Sequence, residues 1–198
     1  MVQAAALVLA TRNRHKVREI ERLLAAAQIA VEPLPDAIEL PPETGDAYAE
    51  NALPKARTAA AATGQPAIAD DSGIEAEALA GAPGVRSARY AGEAATDEQN
   101  LSKLMSEAPA GSAVRYVCAL AYVEPRTGVE RVFLGECRGT LAGAPRGSGG
   151  FGYDPAFLPT ELDSGLTMAE LDEAQKDAIS HRGRAVRELV AWLGGRSH

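Results

Sequence analysis

The sequence predicts an α/β fold on a mixed β-sheet, and three stretches carry that prediction. Residues 4–10 form an apolar run, followed by the basic loop Thr11-Arg12-Asn13-Arg14-His15-Lys16 and a helix with Val17, Ile20, Leu23, Leu24 and Ala27 on one face. That is the strand, loop and helix order of an α/β unit. Pro66-Ala67-Ile68-Ala69 reads as a buried strand that ends in Asp70-Asp71-Ser72-Gly73. Residues 114–123 and 129–137 are β-rich runs separated by Glu124-Pro125-Arg126-Thr127-Gly128. They read as a hairpin, so the sheet is mixed rather than wholly parallel.

Taken in order, the basic loop opens a helix, where cations are disfavoured by about 0.3–1 kcal/mol. An anion bound there reverses that penalty, because free helix amides and the macrodipole favour phosphate. Thr11 and Asn13 add neutral hydrogen-bonding groups; a solvated basic helix start is the plain alternative. Residues 31–34 predict a short strand, and Pro41-Pro42-Glu43-Thr44-Gly45 a loop carrying one acid. From Asp46 the pattern is helical as far as Thr63-Gly64, with Asn51 and Lys55 on one face. Pro54 predicts a break within it, since proline removes an amide donor.

The acids at 70–71 are placed at a strand end, where open α/β sheets hold ligands, and only one of two adjacent strand residues looks into a site. An Asx-type turn uses the same residue types. Residues 74–79 alternate as a second half-buried strand. Thr96-Asp97-Glu98-Gln99 and Thr167-Met168-Ala169-Glu170 are capping-box patterns that open helices. Ser180 reads as the N-cap of a last helix, placing His181 and Arg182 in its first turn, again the unfavourable end for cations. Gly147, Gly149 and Gly152 satisfy G-x-G-x-x-G, but Pro155 and Pro159 follow where a dinucleotide site needs a helix. Those glycines fit better with backbone approaching a planar ligand stacked on Phe151, or with a glycine loop that tucks Phe151 into the core.

Composition narrows the class. The 198 residues are 46% hydrophobic and 24% charged, which suits one domain with an ample core. Twenty basic residues against 27 acidic give a net charge of −7, which argues against binding to a nucleic-acid backbone. Cys118 and Cys137 lack metal-ligand spacing and read as buried thiols in a reducing compartment. No stretch approaches the ~20 apolar residues of a membrane span, and residues 1–7 lack signal-peptide character. The expectation is a cytoplasmic protein without nucleic-acid or membrane partners. Two basic clusters at helix starts, acids on a strand and a glycine-framed aromatic together imply a nucleotide ligand. Asp71 with Glu43 suffices for Mg²⁺, which takes one or two carboxylates plus substrate phosphates.

Thr11-x-Asn13-x-x-Lys16, Glu43-Thr44-Gly45, Glu50-Asn51-Ala52-x-x-Lys55-Ala56, Ala69-Asp70-Asp71-Ser72-Gly73, Gly81-x-Pro83-Gly84, Ser87-Ala88-Arg89-Tyr90, Gly149-Gly150-Phe151-Gly152-Tyr153-Asp154-Pro155 and Ser180-His181-Arg182-Gly183 occur in that order along nearly the whole chain. In this the chain resembles the inosine triphosphate pyrophosphatase family. The resemblance implies a single domain over residues 1–198, an elongated mixed sheet flanked by helices, two lobes with the active site in the cleft between them, and a homodimer. It implies Mg²⁺-dependent cleavage of ITP, dITP or XTP to the monophosphate and pyrophosphate. Asp71 becomes general base and metal ligand, Glu43 the second metal ligand and Ser72 a substrate contact. Thr11, Arg12, Asn13, Arg14, His15 and Lys16, with Lys55 and Lys176, hold phosphates. Phe151, Gly152, Tyr153 and Asp154 form the base platform, and His181 with Arg182 faces the base edge. Donors there pair with the 6-oxygen of hypoxanthine or xanthine and are left unpaired by adenine, a contrast worth on the order of 10⁴-fold. Arg12 is larger than the residue usual for the family at that position. Two other readings stay open: a pyrimidine triphosphate pyrophosphatase of the Maf type, and a nucleotide-sensing module that does not cleave.

Overall fold

The computed structural model describes residues 6–195. Its strands are Leu7–Leu9 (β1), Val31–Pro33 (β2), Ala67–Ala76 (β3), Ala113–Glu124 (β4), Val129–Leu141 (β5) and Phe157–Pro159 (β6). Its α-helices are Arg14–Ala26 (α1), Tyr48–Thr63 (α2), Asp97–Glu107 (α3), Glu173–Ile179 (α4) and His181–Gly195 (α5). The strands form one sheet in the order β2-β1-β3-β4-β5-β6. β1 pairs in parallel with both β2 and β3, whereas β6 runs antiparallel to β5, so the sheet is mixed as predicted. Among the described residues no helix is long and apolar enough to cross a membrane.

The chain divides into two compact units. The first comprises residues up to Asp71, Cys118–Gly135 and the chain from Arg182; the second comprises Ser72–Val117 and Glu136–His181. In the first unit, strand alternation generates two cores. Leu7, Leu9 and Ile68 pack with Ile20 and Leu24 of α1 and with Val186 and Leu189 of α5. Val8, Ala67 and Ala69 pack with Ala52, Ala56, Ala59 and Ala60 of α2. Facing alanines leave little side-chain bulk between α2 and its strands, which is how a chain poor in aromatic residues still closes a dense core. In the second unit, Ile74, Val114, Tyr116, Leu141 and Phe157 pack with Leu101 and Leu104 of α3.

Three expectations need correction. Asp70 and Asp71 do not end a strand, because β3 continues through Ser72 and Gly73 to Ala76. The predicted strand over 74–79 is therefore the second half of β3 plus a 3₁₀ turn at Glu77–Leu79. Turn-forming residue types have yielded to ladder pairing. α2 runs unbroken past Pro54. Proline there removes one amide bond, to the carbonyl of Glu50, while Lys55, Ala56, Ala59 and Ala60 beyond it are all buried. Packing of that face outweighs the lost bond. Residues 4 and 5 of the predicted first strand lie outside the described residues.

Candidate active site

The alternation that makes two cores also sends the two aspartates to opposite faces of β3. Asp71 follows Ala67 and Ala69 toward α2, where Asn51 Nδ2 donates to Asp71 Oδ2 at 2.8 Å. The Asn51 Oδ1 accepts the Gly45 N–H, also at 2.8 Å, so one amide holds both Asp71 and the loop that carries Glu43. A Cβ on Gly45 would lie 2.6 Å from Glu50 Cβ, which is why the loop can come so close only as glycine. Lys55 Nζ, one helical turn beyond Asn51, donates to Glu43 Oε1 at 2.5 Å and to the Asp70 carbonyl at 2.7 Å. Burial pushes the Asp71 carboxyl above its ordinary pKa; the Glu43 charge adds to this, while Lys16, Lys55 and the Asn51 bond pull the other way.

Asp70 points toward α1 and α5. Arg182 Nε and Nη2 lie 3.3 and 3.2 Å from Asp70 Oδ2, Lys16 Nζ lies 3.1 Å from it, and Arg182 Nη1 also donates to Glu19. Burial alone would raise the Asp70 pKa, but the charges of Lys16, Arg182 and Lys55 overcome it and hold the carboxyl well below the usual range. Burial likewise opposes the Arg182 charge, and Asp70 and Glu19 restore it. Arg182 is 1% exposed. A fully buried guanidinium bonded to two carboxylates anchors α5 to α1 and β3.

The basic loop also sorts itself. Asn13 caps α1, its Oδ1 accepting the amides of His15 and Lys16 at 2.9 and 3.2 Å. Thr11 Oγ1 accepts the Asn13 amide at 3.3 Å. Arg12 donates to the carbonyls of Leu34, Pro35 and Ile38 at 2.8, 2.7 and 3.0 Å. It therefore braces the segment after β2. Arg14 and His15 are exposed in the first turn of α1.

The second unit holds an aromatic and ionic cluster. Asp154, 3% exposed, receives the Lys176 ammonium at Oδ2 across 2.6 Å, the Phe151 N–H at Oδ2 across 2.9 Å and the Tyr116 hydroxyl at Oδ1 across 3.0 Å. Gly150, at φ +67°, is obligatory, since a Cβ there would fall 2.0 Å from Asp154 Oδ2. The Gly152 N–H is anchored on Asp97 at the start of α3, 2.9 Å away. The Lys176 ammonium lies 5.2 Å from the centroid of the Phe151 ring. The Lys176 ammonium thus lies against both the Asp154 carboxylate and the Phe151 ring. Tyr153 is buried and donates its hydroxyl to the Ser87 carbonyl at 2.7 Å. His181 stacks on Tyr116, centroids 4.6 Å apart and planes 11° apart. Ser72 sits partly buried in β3.

Tyr116, Glu19 and the bridging role of Asn51 were not anticipated. Only Asn51 left a sequence signal, its helical spacing with Lys55.

Asp71 and Glu43 are hard oxygen donors whose mutual repulsion a divalent cation would relieve. Among the described residues no group of three or more His, Cys, Asp or Glu is arranged to hold a metal. A two-carboxylate site completed by ligand phosphates fits that donor set.

The family model described as Ham1 family matches residues 7–192. A dITP/XTP pyrophosphatase of Frankia alni is 50% identical, with 94% of this chain and 96% of that protein covered. One from Symbiobacterium thermophilum is 51% identical, with 94% of each covered. A solved structure of a HAM1 protein from Coxiella burnetii superposes with a TM-score of 0.85 at 38% identity, covering 96% of this chain and 99% of that one. With the motifs running the length of the chain and the sheet order described above, these matches establish that the chain belongs to the Ham1 family.

Proposed function

We propose that this protein is an Mg²⁺-dependent pyrophosphatase that converts ITP, dITP or XTP to the monophosphate and pyrophosphate. The carrying observation is the carboxylate arrangement in the first unit: Asp71 fixed by Asn51, beside Glu43 fixed by Lys55. The names of the 50% and 51% identical relatives support the same substrate class.

Asp71 and Glu43 would hold the metal, which when bound would supply positive charge to the phosphate oxygens. Asp71 takes a proton from water as the water oxygen bonds to the α-phosphorus; the bond from that phosphorus to the bridging oxygen breaks and pyrophosphate leaves. A carboxyl held above its ordinary pKa is a better proton acceptor than an ordinary one. Lys16 and Lys55 neutralise phosphate charge, assisted by the exposed amides and cations at the start of α1. Ser72 is a further substrate contact. Phe151 offers a stacking face for the purine, and Asp154, Lys176 and His181 supply acceptors and donors for its edge. Hypoxanthine and xanthine present a 6-oxygen and an N1 hydrogen where adenine presents an amino group and a bare N1, so an edge of this composition favours the first pair. The protein acts as a single domain in the cytoplasm and as a homodimer.

Pyrophosphate release from dITP, XTP, dGTP, dATP and dTTP, with Mg²⁺ and with chelator, tests this in wild type and Asp71→Asn. The expected result is metal-dependent release from dITP and XTP that the variant lacks. Release chiefly from dTTP would instead favour a Maf-type pyrimidine enzyme. Binding with no turnover of any substrate by wild type would leave a sensing module.

A further inference from the structure

One residue that no motif singles out touches both kinds of group assigned to the purine edge. The Tyr116 ring lies parallel to the His181 imidazole, 4.6 Å away, and its hydroxyl donates to Asp154 Oδ1 at 3.0 Å. On its other contacts Tyr116 stacks with the fully buried Phe157 at 4.5 Å, and it is itself 6% exposed. β4 carries the ring, the loop after β5 carries Asp154 and the start of α5 carries His181, so three separate parts of the chain meet on one phenol.

We propose that Tyr116 is a positioning residue for purine selection, setting the plane of the His181 imidazole with its ring and the rotation of the Asp154 carboxylate with its hydroxyl. This rests on the base-reading role given above to Asp154 and His181. A carboxylate has two oxygens and about four acceptor directions. Lys176 and the Phe151 amide occupy Oδ2, leaving Oδ1 to take the Tyr116 hydroxyl and still accept one further donor. A 6-oxopurine brings such a donor at N1, and adenine does not. Without the Tyr116 bond, Oδ1 turns toward solvent or toward Lys176, and the acceptor is no longer held in register with the imidazole. Buried hydrogen bonds of this kind act through orientation, so their loss falls on recognition before it falls on chemistry.

The test compares wild type, Tyr116→Phe, Tyr116→Leu and Asp154→Asn. Steady-state kinetics are measured with dITP and dATP, alongside inhibition by inorganic tripolyphosphate and thermal melting. Tyr116→Phe keeps the stacked ring and loses only the hydroxyl. It is expected to raise KM for dITP about five-fold, the worth of one net hydrogen bond, with kcat nearly unchanged. The dITP to dATP ratio of kcat/KM should narrow by a similar factor while tripolyphosphate inhibition stays the same. Tyr116→Leu, which also removes the face under His181, should narrow the ratio further. An unchanged ratio in Tyr116→Phe, whatever its melting temperature, overturns the proposal and leaves Tyr116 as core packing. In that event Asp154→Asn separates the two readings: a changed ratio there keeps Asp154 as a base reader, and an unchanged one removes the base platform as well.

Discussion

Asn51 is bonded to Asp71 at one end and to the Gly45 backbone at the other, each across 2.8 Å. A single amide on α2 thereby fixes the separation between the carboxylate on β3 and the loop that carries Glu43. Asn51→Ala should lower kcat about 10- to 100-fold, the scale of a lost hydrogen bond to a charged group of about 1.5–3 kcal/mol. The Mg²⁺ concentration for half-maximal rate should rise with it, since the two ligands lose their common support. Metal titration of the rate, with calorimetric Mg²⁺ binding beside it, checks both. An unchanged metal requirement would show that Lys55 alone holds Glu43 in place.

The ion cluster around Arg182 separates stability from recognition. Arg182→Ala leaves Asp70 and Glu19 buried without their guanidinium, a loss of about 3–5 kcal/mol. In a chain of this length that corresponds to roughly 6–20 °C in Tm. His181→Ala, one residue earlier, should keep Tm within a few degrees and narrow the preference for dITP over dATP. Melting curves and the dITP to dATP ratio for each variant decide the matter. A stable Arg182→Ala protein with altered base preference would return the guanidinium to the base edge.

How much of this was legible in the sequence depends on the range of the interaction that decides it. The cap at Thr96 and the hairpin between β4 and β5 are written locally, in residue type and spacing. Period-two reasoning correctly separated Asp70 from Asp71, yet could not say which faced which partner. That choice is made by Arg182, 112 residues away, and by Asn51, 20 residues away. The Arg182 bond to Glu19 spans 163 residues. A fully buried arginine and a surface one look alike in sequence, because burial is a property of the packed elements around it. Pro54 shows the same limit, since the alanine face of α2 overrides a strong local signal. Tyr116 lies inside an apolar strand and carries no pattern distinguishing it from core.

Asp70 should make the fold sensitive to acid. Its carboxyl is held below the ordinary value of about 3.9 in the folded state, so the unfolded chain binds its proton more readily. Stability from this group is therefore complete above about pH 5 and is lost as the pH falls below that, toward the lowered folded pKa. Asp70→Asn should be less stable than wild type at neutral pH, since it leaves Arg182 and Lys16 undercompensated, and should lose less on acidification. Denaturant midpoints at about pH 7 and about pH 3.5 give the two slopes. Parallel acid losses in both proteins would assign the sensitivity to other carboxylates.

Arg12 and Lys16 are both cations of the loop before α1, yet their surroundings predict opposite roles toward phosphate. Arg12 makes three bonds to carbonyls of residues 34–38, so its charge is tied to backbone, whereas the Lys16 ammonium is set against Asp70 beside the acids of β3. A phosphate arriving there gains a cation already held in position by a neighbouring carboxylate. Lys16→Ala should weaken inhibition by inorganic tripolyphosphate about 10-fold or more, as expected for loss of a charge-assisted contact. Arg12→Ala should change it less than about two-fold and lower Tm instead, because the segment after β2 loses its brace. Comparable losses of tripolyphosphate affinity in the two variants would mean that Arg12 leaves its carbonyls to meet the substrate.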